Sequence, residues 1–409
     1  MHVVSTTTAG CDVLVGFAEA ESAPEVVWSL VDAGARVTAF ARRGVASPLR
    51  HSRHVVCHDI TPPEKDVCAA RVDLQRVQHS VGRNGSTAVL LPLDDTALWL
   101  CNGIALERPW LLAGPQGANA ELALNKGLQV ELARECGFNV PESAIVRTAA
   151  EAVSFAVAQD LPIILKSSLC VPISAGRRLS CPTWICANEG ELDRAVAQWG
   201  ERVPLLAQRY IVGTGEGVFG VGAIDGVRGW SAHRRLRMMN PQGSGSSACV
   251  SAHVSPELKR DVSAFVQRTG WRGLFMVELL RDTAGKVWFV ELNGRPWGSM
   301  ALARRQGLEY PAWHLNLTLD DQSNAGRTAA SVPGVVCRHL GRELMHLLFV
   351  LRGPKSKALE QWPSFWKSLL AVMAIRPGDG IYNWRRSDSS VFVADLFYTL
   401  QKNLFKARA

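Results

Sequence analysis

The stretch VWFVELNGRPWGS, from Val287 to Ser299, decides how this sequence is interpreted. It starts as an apolar run typical of a buried strand and ends with Glu291, Asn293 and Arg295 on alternate positions. A second apolar run, GLFMVELL, precedes it, and only the segment RDTAG and one lysine lie between them. Two apolar runs joined by a short turn that contains glycine predict a β-hairpin.

The predicted hairpin brings acidic side chains together. If its turn centres on the Ala-Gly pair of RDTAG, Glu278 lies directly opposite Glu291. Because side chains alternate along a strand, Asn293 shares the face of Glu291, and Arg295 joins them if the strand continues. Carboxylates across a strand pair lie about 5 Å apart, and their repulsion is about 3 kcal/mol at an effective dielectric of about 20. Magnesium, which takes hard oxygen ligands, would cancel this repulsion; an exposed hairpin with loose ion pairs is the alternative.

The composition indicates a soluble globular protein of two or three domains. The chain has 409 residues, of which 47% are hydrophobic and 20% charged. No apolar run approaches the roughly 18 residues that span a bilayer, and the first residues lack the pattern of a secretory signal. Ten cysteines are scattered without a CxxC pair, which favours buried thiols and a cytoplasmic location over disulfides or zinc.

The formal net charge of +8 indicates an anionic partner without choosing one. A nucleotide or an acidic substrate in a basic cleft explains the charge as well as nucleic acid does. The basic residues are dispersed, and no nucleic-acid reading motif is recognisable. We therefore expect small-molecule partners and no nucleic acid.

Three regions follow one another along the chain. The first alternates strand and helix patterns, which predicts a small parallel sheet, and it has no GxGxxG after its first strand. The second begins near Gly114 with ANAELALNKGLQVELARECG, an amphipathic helix that stops at Gly137. From about Gly326 the pattern becomes helical, basic and rich in tryptophan.

With Lys126, Lys166 and the hairpin in view, residues 114–325 resemble the ATP-grasp superfamily, in its carbamoyl-phosphate-synthase-like or carboxylate–amine ligase branch. The resemblance implies an α/β protein that is α+β in its ATP-grasp part. A parallel-sheet pre-ATP-grasp domain would cover residues 1–113. The ATP-grasp domain would cover 114–325, with a small lid subdomain at about 141–212. A mainly helical C-terminal region, 326–409, would pack on the core.

The resemblance also assigns roles to the hairpin and the two lysines. It implies that ATP and two Mg²⁺ ions bind here, with Glu278, Glu291 and Asn293 as metal ligands. Arg295 matches the arginine that stabilises the transferred phosphoryl group. Lys126, in ALNKGLQ, and Lys166, at the end of LPIILK, match lysines that contact phosphate. A lysine that ends an apolar strand is otherwise often just reaching for solvent.

Two further segments match parts of the family pattern. PLLAQRYIVGTGEGV resembles the hinge that receives adenine, which implies contacts from Gln208, Arg209, Tyr210 and Ile211, although many relatives have Glu at the position of Gln208. Glu216 resembles the carboxylate that binds ribose, and a solvated loop acid is the alternative.

In SAHRRLRM, alternation places His233, Arg235 and Arg237 on one face. His233 resembles a histidine that contacts phosphate, and the arginines would grip a substrate carboxylate. The alternative is a basic outer strand that balances acidic neighbours.

One segment departs from the family. After the second lysine, relatives carry a glycine-rich loop over the phosphates, whereas SSLCVPISAGRRLS has only Gly176, followed by Arg177 and Arg178. Backbone contacts to phosphate are therefore expected to be fewer.

The activity implied by the resemblance is that of an ADP-forming carboxylate–amine ligase that works through an acyl phosphate. Its substrates would be a small carboxylate and an amine. A ligase with a thiol, ammonia or carbamate acceptor, and a nucleotide-binding regulatory protein without ligation, are the alternatives. The last segment, VFVADLFYTLQKNLFKARA, has apolar residues at helical spacing and a basic end. It is expected to pack on the core or shape the substrate entrance; a homodimer contact or a peripheral membrane surface are the alternatives, without a transmembrane segment.

Overall fold

The computed structural model describes residues 8–81, 87–243, 245–327, 329–354, 356 and 362–405. Its N-terminal part alternates strands and helices, as predicted. The elements are β1 (Asp12–Gly16), α1 (Ala23–Asp32), β2 (Arg36–Arg42), a 3-10 turn (Pro48–His51), β3 (Val56–Ile60), α2 (Val67–Val81), β4 (Ala88–Pro92), α3 (Asp95–Asn102) and β5 (Trp110–Leu112).

The N-terminal strands form one parallel sheet in the order β3-β2-β1-β4-β5. Every residue of β1 and β4 is buried, since separate apolar clusters cover the two faces of the sheet. The order reverses between β1 and β4, so the carboxyl ends of these strands open a crevice, as in other doubly wound sheets. Side chains that follow β4 are therefore presented toward the rest of the molecule.

Two helices, α4 (Ala118–Leu124) and α5 (Lys126–Glu135), stand where the sequence predicts a single one. Asn125 separates them in an extended conformation, and its Oδ1 accepts hydrogen bonds from the amides of Gly127, at 3.0 Å, and Leu128, at 3.4 Å. An asparagine side chain that caps a new helix competes with continuation of the old one. The break places Lys126 at the first position of α5.

The segment predicted as a lid contains a small antiparallel sheet in the order β10-β7-β11-β6. Its helices cover one face of that sheet around a separate apolar cluster. The elements are β6 (Ser143–Val146), α6 (Ala149–Gln159), β7 (Ile163–Ser167), β8 (Ile173–Ser174), β9 (Arg177–Arg178), β10 (Trp184–Cys186), α7 (Glu189–Trp199) and β11 (Leu205–Arg209).

A seven-stranded mixed sheet forms the centre of the molecule. Its elements, with the flanking helices, are β12 (Gly213–Ala223), β13 (Gly226–Met238), β14 (Ser246–Ala252), α8 (Pro256–Thr269), β15 (Gly273–Asp282), β16 (Val287–Asn293), α9 (Met300–Arg304), α10 (Tyr310–Leu319), β17 (Val336–Arg338), α11 (Leu340–Arg352), α12 (Phe365–Met373), β18 (Gly380–Ile381), a 3-10 turn (Arg386–Asp388) and α13 (Ser389–Phe405). The strand order is β16-β15-β12-β13-β14-β17-β18.

The C-terminal region is helical, as expected, but it also contributes two strands that the sequence pattern did not reveal. β17 pairs with β14 and then with β18, so this region completes the central sheet. A three-residue and a two-residue strand are too short to show a period-2 pattern. All ten cysteines are free thiols, and only Cys68 is exposed.

Candidate functional site

The hairpin at the edge of the central sheet has the predicted register. β15 and β16 pair so that Glu278 lies opposite Glu291 and Met276 lies opposite Asn293. The amide of Gly285 closes the turn by donating to the carbonyl of Asp282, at 3.0 Å. A bulge next to Glu278 shifts the pairing nearer the turn by one residue, and such bulges re-aim neighbouring side chains. The two carboxylates therefore face the same side of the sheet.

Each carboxylate of the pair is held by a cation. Lys126 Nζ lies 2.5 Å from Glu291 Oε2, and Arg235 Nη2 lies 2.6 Å from Glu278 Oε1. Asn293 Nδ2 lies 3.4 Å from Glu291 Oε1, at the long end of a hydrogen bond. The repulsion expected between the carboxylates is thus offset by two ion pairs from other elements, α5 and β13.

The two lysines differ in their electrostatic setting. Lys166, at the end of β7, is only 9% exposed, and burial together with the charge of Lys126 lowers its pKa to about 8. Burial also opposes the charged form of Lys126, but the adjacent Glu291 outweighs it and raises the pKa of Lys126. Burial alone would raise the pKa of Glu291, yet both lysines hold it below its usual range. The structure brings both predicted phosphate lysines to the same carboxylate.

Arg295 reaches the site from beyond the end of β16 and binds an acid of the N-terminal sheet. Its Nε lies 3.0 Å from Asp95 Oδ1, and its Nη2 lies 3.2 Å from Asp95 Oδ2. Asp95 begins α3, directly after the carboxyl end of β4. Asp95 was not among the residues predicted from the sequence, although LLPLDDTALWL places an acidic pair directly after a buried strand.

His233 lies on the same sheet face as Glu278, with Gly217 paired between them. Its Nδ1 lies 2.8 Å from Ser299 Oγ, and burial lowers its pKa to about 3. Its Nε2 is buried without a hydrogen-bond partner among the residues that the structure describes. His233 is therefore neutral at pH 7 and offers one ring nitrogen for a further hydrogen bond.

Arg237 does not accompany His233 and Arg235, contrary to the alternation expected from the sequence. A bulge between Arg235 and Arg237 breaks the alternation of β13. Arg237 instead makes three hydrogen bonds of 3.0–3.2 Å to both carboxylate oxygens of Glu343 in α11. This arginine therefore joins the C-terminal region to the central sheet.

The predicted adenine hinge joins the small sheet to the central one. Gln208 is buried, and its Nε2 donates to Ser143 Oγ, at 2.9 Å. The amides of Arg209 and Tyr210 donate to backbone carbonyls of the residues that directly precede strands β6 and β7, at 2.9 and 3.1 Å. Contacts from these two residues to a base would thus come from their carbonyl groups.

Glu216, expected to bind ribose, is not brought to this cluster. It lies opposite Leu279 in β15, whereas its neighbour Gly217 lies opposite Glu278, so Glu216 points to the other face of the sheet. There Arg281 binds both of its carboxylate oxygens, at 2.8 and 2.9 Å. Glu216 is a strand residue in an ion pair and not a solvated loop acid.

The segment in place of a glycine-rich phosphate loop forms the short hairpin β8–β9, which docks on residues 62–67. The amide of Arg178 donates to the carbonyl of Pro63, and the amide of Val67 donates to the carbonyl of Gly176, both at 2.9 Å. Arg178 Nη1 also lies 3.0 Å from Glu64 Oε1. The charge of Arg178 is thus used to anchor the hairpin to the N-terminal part.

The oxygen ligands on the hairpin fit magnesium. Within the described ranges, no group of three or more His, Cys, Asp or Glu side chains could hold a metal ion by itself. The hairpin offers two carboxylates and one amide oxygen on one face. This set suits an ion that takes its remaining ligands from substrate phosphates and water.

No protein-family model matches the sequence, and no curated protein matches it. Solved structures do share its fold. An L-amino acid ligase from Bacillus licheniformis superposes with a TM-score of 0.59 at 16% identity, over 80% of this chain and 79% of that one. The ADP complex of an N5-carboxyaminoimidazole ribonucleotide synthetase, purK, gives 0.60 at 13% identity, over 89% and 97%.

A third structure is the biotin carboxylase domain of the Hydrogenobacter thermophilus 2-oxoglutarate carboxylase, in complex with MgADP, ADP and bicarbonate. It gives a TM-score of 0.58 at 18% identity, over 77% of this chain and 71% of that one. At these identities the likeness establishes the fold. This chain shares its α/β architecture with these structures, and this fold is the one that the ATP-grasp resemblance of its sequence predicted.

Proposed function

We propose that this protein is an ADP-forming carboxylate–amine ligase. The observation that carries the proposal is the pair Glu278 and Glu291, directly opposed in the hairpin, with Asn293 on the same face. Lys126 and Arg235 hold the two carboxylates, and Lys166 is buried close by. Two carboxylates placed together, with the side chains of one lysine and one arginine as their counter-charges, suit a site that binds a metal cation and phosphate.

Glu278, Glu291 and Asn293 would hold the two magnesium ions that the sequence resemblance implies. Magnesium in such a site neutralises the charge on the phosphate oxygens. In exchange, Lys126 would leave Glu291 and turn to phosphate. Lys166 would join it, because an added anion restores the charged form that burial disfavours. The same cations thus hold the site together with and without nucleotide.

The other groups would orient the two substrates. Gln208 and the backbone of Arg209, Tyr210 and Ile211 would receive adenine at the hinge. Arg235 would bind the substrate carboxylate, and Arg295 would stabilise the phosphoryl group in transit. His233, being neutral, would donate one hydrogen bond from Nε2 to a phosphate or carboxylate oxygen. Glu216 has no part in this arrangement.

The reaction would proceed in two displacements. A carboxylate oxygen attacks the γ-phosphorus of ATP, the bond to the β-phosphate oxygen breaks, and ADP leaves. The amine then attacks the carbonyl carbon of the acyl phosphate, inorganic phosphate leaves with the bonding electrons, and the amine nitrogen gives up a proton. No covalent bond to the protein forms, so positioning and charge neutralisation supply the catalysis.

The test is magnesium-dependent ADP release against a panel of amino and hydroxy acids, alone and in pairs. We expect release that requires one carboxylate and one amine and that is lost in Glu291→Gln. Glu135→Gln is the matched control, because Glu135 is 53% exposed in a surface ion pair with Arg268. A thiol or ammonia that replaces the amine would change the acceptor class. Nucleotide binding without turnover on any pair would favour a regulatory protein, and no nucleotide binding would refute the proposal.

A further inference from the structure

Charge is distributed unevenly along the chain. Of its 45 Lys and Arg residues, residues 326–409 contain 13, and of its 37 Asp and Glu residues they contain 5. This leaves 32 of each sign in residues 1–325, which are neutral as a whole. The entire formal excess of +8 therefore lies in the last fifth of the chain, away from the hairpin and its lysines.

The acids of this region point inward, whereas several of its bases face solvent. Glu343 is 1% exposed between Arg237 and Arg338, and Asp388 accepts hydrogen bonds from Trp28 and Ser52. All of the described acids are buried or half-buried: Glu343, Asp379, Asp388 and Asp395. The exposed bases include Arg352, Lys367, Arg376 and Arg386. The surface is thus more basic than the composition alone indicates.

Helix α12 presents an apolar face in the middle of this basic surface. Trp366, Leu370 and Met373 lie on one side of the helix, each 71% exposed, and Ile375 follows them. Monomeric soluble proteins rarely expose a contiguous apolar patch of this kind, and such a patch often marks a binding surface.

The opposite side of α12 is fixed to the protein. Ser368 Oγ lies 3.1 Å from His346 Nε2 of α11, and Arg338 donates to the carbonyls of Ala371 and Val372. The helix therefore cannot turn its apolar face inward without breaking a buried network.

We infer that the α12 face binds the surface of a bilayer that contains anionic lipid. Trp366, Leu370 and Met373 would enter the boundary between headgroups and acyl chains, with the helix in the plane of the membrane. Lys367 and Arg376, next to this face in sequence, would bind the headgroups. None of the helices that the structure describes is long and apolar enough to cross a membrane. The inference does not depend on the proposed ligase reaction.

Charge distinguishes this partner from a second copy of the chain. A two-fold dimer brings the same patch of each copy together. Pairing through α12 would place two strongly basic surfaces against each other, whereas an anionic bilayer has the complementary charge.

The experiment is co-sedimentation of the full-length protein with vesicles of phosphatidylcholine alone or of phosphatidylcholine mixed with phosphatidylglycerol, an anionic lipid. We expect binding to the anionic vesicles that weakens as salt rises. The variant Trp366→Ser/Leu370→Ser should bind at least about tenfold more weakly, because it loses two apolar anchors. Lys367→Gln and Arg376→Gln should each weaken binding about fivefold.

Matched controls remove similar groups elsewhere. Val153→Ser/Val157→Ser removes two exposed apolar side chains one turn apart on α6, and Lys259→Gln removes an exposed charge on α8. Both should bind vesicles like the unchanged protein. Failure of the unchanged protein to bind anionic vesicles at low salt, or equal binding by Trp366→Ser/Leu370→Ser, would overturn the inference. So would a dimer in light scattering that this variant alone converts to monomer.

Discussion

Arg235 and Arg237 are two residues apart on one strand, yet they enter ion pairs of different kinds. Arg235 binds Glu278 across β12 on one face of the central sheet, where the Glu278 side chain is 17% exposed. Arg237 binds Glu343, which is fully buried and is also bound by Arg338. The two arginines are similarly half-buried, so the difference lies in the carboxylates: Glu278 is within reach of a ligand, whereas Glu343 is enclosed by protein. An arginine–glutamate pair can thus be open to a ligand in one region and can join two parts of the fold in the other.

The comparison breaks if the buried pair proves dispensable. Glu343→Gln should lower the free energy of unfolding by about 3–5 kcal/mol, because it leaves the buried Arg338 and the half-buried Arg237 beside a neutral amide. Urea unfolding at pH 7 measures this loss. Nucleotide affinity of the folded variant should stay within about threefold of the original. A loss of unfolding free energy below about 1 kcal/mol would show that Arg237 and Arg338 find other partners.

The Arg235–Glu278 pair should show the reverse behaviour: its loss should affect activity more than stability. Arg235→Met should lower kcat/KM for the carboxylate by about a hundredfold, roughly 2.7 kcal/mol, because no other described arginine replaces it at Glu278. Its melting temperature should fall less than that of Arg237→Met, the matched variant two residues along. Steady-state kinetics and thermal unfolding of both variants check this. Equal destabilisation by both changes would remove the distinction between the regions.

Lys166 sharpens the comparison, because it is buried and its side chain forms no ion pair with any residue that the structure describes. Lys166→Met should raise the melting temperature by about 2–4 °C at pH 7 while abolishing turnover. The pKa of Lys166 is about 8 in the folded protein and near 10.5 when unperturbed. Below pH 8 both states carry the proton, so the folded protein bears the full cost of the buried charge.

The pH dependence of that variant follows from the same two values. Between pH 8 and about 10.5 the folded state has lost the proton and the unfolded state still holds it, so the original protein gains stability as pH rises. The advantage of Lys166→Met should therefore be largest below pH 8 and should vanish above about 10.5. Thermal unfolding from pH 6 to 10.5 measures it. An advantage that is independent of pH would mean that packing, not charge, is responsible.

Glu216 should give the smallest effect. Its carboxylate lies on the face opposite Glu278 and is bound by Arg281. Glu216→Gln should therefore change ATP affinity by less than about threefold, within the range of a half-exposed ion pair. Calorimetric titration with ATP and with 2′-deoxy-ATP checks this. A tenfold loss for ATP that is absent for the deoxy nucleotide would restore the ribose role implied by the sequence.

The sequence was sufficient for the hairpin, because the alternation of side chains and the short turn together fix which residues face each other. It also identified the type of fold, whereas the roles of the two lysines stay predictions. It could not reveal Asp95, since the contact with Arg295 joins segments 200 residues apart. It misplaced Arg237 because the pairing of β13 with β14 shifts its register between Arg235 and Arg237, which breaks simple alternation there. For Glu216, the missing information was the register between β12 and β15, which no local pattern contains.

The strand β17 has a consequence for how this protein can be divided. It occupies the edge of β14, so its backbone groups satisfy donors and acceptors that would otherwise face water. A chain ended at residue 325 would therefore present an open strand edge, together with the buried sulfur of Cys249, to other molecules. Exchange of parts between proteins of this fold has to carry residues 336–338 along with the ATP-grasp region. The C-terminal region is in this sense an integral part of the central sheet and not a separable domain.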